Sequence, residues 1–134
     1  MQSDSNGLLF PCLSAPPTVT VSPVESMSDY STGSDISLRC SWDTSVNYLA
    51  WYKNGMLIYE EDLAVSSVLM GPPQGISVGS DYNKMTSTLT ITSAVLDDSG
   101  NYTCAVTCGA KGVEFGMIAG NLTDTAEVFV YGEL

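Results

Sequence analysis

Ile36-Ser-Leu-Arg-Cys40 alternates apolar and polar side chains without a break, which places Ile36, Leu38 and Cys40 on one face of an extended segment. Short runs of this kind recur along the chain, and no stretch shows a helical apolar period. Thr18-Val-Thr-Val-Ser-Pro23 reads as an edge strand that Pro23 ends, because proline cannot donate to a ladder. Tyr48-Leu-Ala-Trp-Tyr-Lys-Asn-Gly55 runs into an Asn-Gly pair, a strong hairpin signal, and Met56 to Glu60 pairs back from it. Leu63 to Met70 holds a further short edge strand before Gly71-Pro-Pro-Gln-Gly75 breaks the chain. Ile76 to Tyr82, Ser87 to Thr92, Asn101 to Thr107 and Thr125 to Tyr131 complete a set of roughly nine strands. The expectation is an all-β fold, a sandwich or barrel of antiparallel strands.

The 134 residues suit one domain with one sizeable core, and neither an internal repeat nor a dividing linker is visible. Residues 1–16 read as a lead segment tied to a domain spanning 17–134. Only 14% of residues are charged, and the net charge is −11 with four basic residues, Arg39, Lys53, Lys84 and Lys111. Nucleic-acid binding needs a basic patch and is not expected, and an anionic membrane surface would repel the chain. The plain reading of the acidity is solubility. No segment reaches the length of a membrane span, so membrane contact is expected only through segments outside this sequence. No signal peptide is visible, and Met1 before a polar stretch reads as an expression start on a mature ectodomain.

Four cysteines, Cys12, Cys40, Cys104 and Cys108, fit disulfides and an oxidising compartment. Zinc is the competing reading, but the chain has no histidine and only one close cysteine pair, so no metal and no cofactor are expected. Glu60-Glu-Asp62 could suggest calcium; without the glycine-spaced pattern of a calcium loop it reads as a solvated turn. The lack of histidine also argues against an enzyme.

Cys40, Leu49-Ala-Trp-Tyr-Lys-Asn-Gly55 with its Trp51, Leu89-Thr-Ile91 and Asp98-Ser-Gly-Asn-Tyr-Thr-Cys104 follow one another in the order and spacing of the immunoglobulin superfamily. The chain resembles that family over about residues 17–131. The resemblance implies a two-sheet antiparallel sandwich in which Cys40 and Cys104 bridge the sheets and Trp51 packs against them. Tyr102 is expected to bond backbone at the corner before its strand, with Gly100 in a tight turn and Asp98 accepting backbone donors. The separation of 64 positions between Cys40 and Cys104 leaves room for two extra strands, C′ and C″. That favours a variable-like set, with the intermediate set as the nearest alternative. Two features depart from the variable pattern. Gly75-Ile-Ser-Val78 has no base to face Asp98, with Lys84 the available substitute, and Phe115-Gly-Met-Ile-Ala-Gly120 resembles the joining bulge of antigen receptors only loosely. In the family's geometry Cys12 and Cys108 fall at the same end, so a bridge between them is expected; the alternatives are an interchain bond or free thiols.

The resemblance implies recognition loops at about 42–48, 60–66 and 108–122. Candidate ligand-binding residues there are Asn47 and Tyr48, together with Val113, Phe115, Met117 and Ile118, whose apolar side chains either fold back on the sandwich or meet a partner. The second candidate surface is the sheet face opposite Trp51 and Cys104, carrying Ala50, Tyr52, Thr103 and Ala105, with Tyr59 joining from C′. Asn101-Tyr-Thr103 and Asn121-Leu-Thr123 are N-glycosylation sequons. The function expected is extracellular protein recognition, in an immune-type or cell-adhesion receptor, with a protein ligand on another cell or a homodimer through the sheet face. A structural spacer is the alternative, and a carbohydrate-binding domain using Trp42 and the loop tyrosines is a third reading.

Overall fold

The computed structural model describes residues 18–25, 29–43, 46–107 and 123–132. Ten strands run in chain order: β1 (Val19–Pro23), β2 (Asp29–Ser31), β3 (Ile36–Trp42), β4 (Tyr48–Lys53), β5 (Met56–Asp62), β6 (Ser67–Met70), β7 (Ile76–Asp81), β8 (Thr86–Ile91), β9 (Gly100–Thr107) and β10 (Thr123–Tyr131). Among the described residues one 3-10 turn, Leu96–Asp98, precedes β9. The strands form a four-stranded sheet, β1-β3-β8-β7, and a six-stranded sheet, β2-β10-β9-β4-β5-β6. Every pairing is antiparallel except that of β2 with β10, which is parallel.

The period-two pattern becomes the core directly. Ile36, Leu38, Cys40 and Trp42 of β3 are buried while the residues between them are not. They meet Leu49 and Trp51 of β4, Leu89 and Ile91 of β8, and Tyr102, Cys104 and Val106 of β9. The Cys40–Cys104 disulfide joins the two sheets across this core, with Cα atoms 6.3 Å apart. Trp51 is the register partner of Cys104 on the neighbouring strand, so the indole lies beside the bridge. Its Nε1 donates to Ser87 Oγ at 3.1 Å, which satisfies the one polar atom that burying a tryptophan brings with it.

Two elements differ from expectation. β2 is only three residues long and is invisible to an alternation argument; it exists because Phe129, Val130 and Tyr131 offer it an open edge. Glu60, Glu61 and Asp62 are not a turn. They continue β5, paired with Ala50, Leu49 and Tyr48 on one side and with β6 on the other, because the ladder to β4 runs the full length of both strands.

Candidate functional site

The corner before β9 is held by two short hydrogen bonds. Asp98 Oδ2 accepts the Val95 N–H at 2.8 Å, closing the 3-10 turn, and the Tyr102 hydroxyl donates to the Asp98 carbonyl at 2.6 Å. Tyr102 is fully buried, and desolvation first, then the Asp98 charge, raises its phenol well above the usual range. Lys84 does not stand in for a base facing Asp98. It sits in the β7–β8 turn, where its N–H bonds Asp81 Oδ1. The cation at the corner is Lys53, at the end of β4. Its Nζ donates to the Asp97 carbonyl and lies 5.9 Å from the centre of the Tyr102 ring. Gly100 has φ +153°, and a Cβ there would meet Asn54 Oδ1 at 2.8 Å, so this position is held to glycine by both backbone and space. Asn54 begins the expected two-residue turn, with φ of 51° at Asn54 and 83° at Gly55, and its Oδ1 accepts the Asn101 N–H at 2.9 Å.

The outer face of the six-stranded sheet carries the alternate residues of β4, β9 and β10. Ala50 and Ala105 are buried and register partners, while Tyr52 and Thr103 beside them are half-buried. Burial first, then the Glu60 charge, raises the Tyr52 phenol. Thr103 and Thr125 face each other with hydroxyl oxygens 2.7 Å apart. Along β10 the same face ends in Phe129 and Tyr131, 54% and 45% exposed, their rings stacked with centroids 6.4 Å apart. Sequence reading missed this pair, although the alternation of Val128 and Val130 with Phe129 and Tyr131 carried the signal. A second apolar surface lies at the other edge, where Val68, Leu69 and Met70 of β6 are exposed.

Tyr59, Tyr48 and Trp42 are placed differently from expectation, while Asn47 precedes β4 as expected. Tyr59 lies in the core, not on the outer face. A two-residue hairpin continued without interruption would set Tyr59 opposite Ala50, but the ladder shifts between Trp51 and Tyr52, so Tyr59 pairs with Trp51 and turns inward. Its hydroxyl donates to Glu61 Oε1 at 2.8 Å, and desolvation, then that bond and charge, raise its phenol above the ordinary range. Tyr48 is the first residue of β4 rather than part of a loop, and it is buried. Asn47 is half-buried with its backbone tied on both sides: its N–H donates to the Thr107 carbonyl and its carbonyl accepts the Leu63 N–H. Trp42 belongs to the core, which removes the aromatic on which a carbohydrate reading rested.

Asn101 is exposed at the start of β9. Cys12, Cys108, Val113, Phe115, Met117, Ile118 and Asn121 lie outside the described residues. Among the described residues, no helix is long and apolar enough to cross a membrane.

No curated protein matches the chain. The family model for the immunoglobulin domain matches residues 16–107, from just before β1 to the end of β9, and the observed sandwich continues past that stretch into β10. Immunoglobulin domains are in general non-catalytic modules that mediate protein–protein contacts, and one with a disulfide is typical of extracellular proteins. By its inter-sheet disulfide, its core tryptophan, its tyrosine corner and this match, the chain belongs to the immunoglobulin family.

Proposed function

We propose that this is an extracellular recognition domain of the variable-like type, the ligand-binding or adhesive domain of an immune-type or cell-adhesion receptor. The supporting observation is the outer face of the six-stranded sheet. Small Ala50 and Ala105 keep its middle flat, Tyr52, Thr103 and Thr125 surround them, and the exposed Phe129–Tyr131 stack extends the face along β10. Aromatic side chains on a flat sheet face provide contact area at low entropic cost. The presence of β5 and β6 beyond β4 supports the variable-like reading over the intermediate one.

A homodimer through this face is the simplest partner. Light scattering over a concentration series, on glycosylated material, tests it. Self-association should be concentration-dependent and should be lost in Tyr52→Arg and Phe129→Arg. A strict monomer whose tetramerised form also labels no cell type would favour the structural spacer instead. A glycan on Asn101 would stand at the lower edge of the same face and restrict docking there, so enzymatic deglycosylation should strengthen association.

A further inference from the structure

The four-stranded sheet carries a different surface on its outward side. Register places Arg39 of β3, Thr88 of β8 and Gly79 of β7 in one cross-strand row, with Ser41, Thr86 and Asp81 in the next. Gly79 has no side chain, and a Cβ built there would meet nothing within 4 Å. The row is therefore notched, and the notch opens into a shallow cleft of about 410 Å³ lined by Arg39, Gly79, Asp81, Lys84, Thr86 and Thr88. Two of the chain's four basic residues thus converge on one cleft in a protein of net charge −11. Asp81, the one carboxylate in the lining, has an oxygen committed to the Lys84 N–H at 3.1 Å, which fixes the turn that carries Lys84.

We propose that this cleft binds a sugar bearing one negative charge, a carboxylate or a single sulfate. The guanidinium of Arg39 and the ammonium of Lys84 take the anionic group. A guanidinium grips planar or tetrahedral oxyanions through paired N–H donors, and the Thr86 and Thr88 hydroxyls offer donors and acceptors to ring hydroxyls. Charge decides between ligands. Two cations against one carboxylate attract a compact monoanion within a Debye length of about 8 Å. A polyanion reaches beyond that distance into the field of a domain with fifteen acidic residues (Asp+Glu 15).

The test is titration of the isotope-labelled domain with glucuronic acid and with galactose 6-sulfate, followed by amide shifts, with galactose, heparin and an acetylated Asp-Asp peptide as further arms. The acidic sugars should move the amides of Gly79, Asp81, Thr86 and Thr88 with affinity in the low millimolar range, about 1–10 mM. Arg39→Gln and Lys84→Gln should each weaken binding about five- to tenfold, and raising salt should weaken it further. Gly79→Val sets its Cβ in open space on the outward side and suits a strand, so it should keep the fold and abolish the shifts. Equal shifts with neutral galactose, no response to Arg39→Gln, tighter binding of heparin or the peptide, or silence at these amides would each overturn the proposal. Whichever acidic sugar binds more tightly identifies the anionic group.

Discussion

Replacing Ser87 by alanine removes one oxygen from the middle of the sandwich. Ser87 is completely buried on β8, and its Oγ accepts two hydrogen bonds, from Trp51 Nε1 at 3.1 Å and from the Ser80 hydroxyl at 3.0 Å. The two donors have different alternatives. Ser80 is half-buried, so its hydroxyl turns to water at little cost. Trp51 is 0% exposed, so its indole N–H is left in the core with no acceptor. An orphaned buried donor costs about 1–3 kcal/mol, and the small void adds to it, so Ser87→Ala should lose about 2 kcal/mol. Urea unfolding, with an unchanged m value, gives the number. A double-mutant cycle isolates the cause. In a Trp51→Phe background no N–H remains to be orphaned, so Ser87→Ala should cost less than about 1 kcal/mol there, a coupling of about 1 kcal/mol or more. Equal costs in both backgrounds would refute the reasoning, because the loss would then come from packing around Ser87 and not from the indole.

Breaking the Cys40–Cys104 bridge by Cys→Ala at both positions should cost about 4 kcal/mol for a separation of 64 residues, read by denaturant unfolding of the oxidised and mutant proteins. Thr107 is fully buried at the end of β9 and its Oγ1 has no hydrogen-bond partner among the described residues, so Thr107→Val should be neutral or raise stability by up to about 1 kcal/mol; a clear loss would mean that the hydroxyl is bonded. Tyr102→Phe should cost about 1 kcal/mol near neutral pH through the lost bond to the Asp98 carbonyl. The same substitution tests the alkaline limb. The phenol ionises at 10.0 when unfolded and well above that when folded, so its contribution is complete below pH 10 and is lost as pH rises beyond it; Tyr102→Phe should flatten the fall in stability there.

The sequence carried more of this domain's inner face than of its outer one, and the reason is physical. Inner-face identity is set by a solvent-exclusion pattern of period two, which Ile36, Leu38 and Cys40 show plainly, and by residue types with single uses, such as Trp51 and Tyr102. Outer-face identity depends on register, and register can change by one residue without any change of composition. Asn54-Gly55 signals the hairpin correctly, yet nothing in Met56-Leu-Ile-Tyr59 announces that the ladder slips between Trp51 and Tyr52. That slip moves Tyr59 from a candidate contact surface into the core and leaves Tyr52 as the aromatic of β4 on the face. The same limit hides the cleft on the opposite sheet. Arg39 and Lys84 are 45 positions apart in sequence, and only the pairing of Arg39 with Thr88, and of Thr88 with Gly79, brings a cation, a hydroxyl and a missing side chain into one row. The fold of such a domain can therefore be read from its apolar alternation, whereas its binding surfaces are properties of strand registration and must be sought in the paired structure.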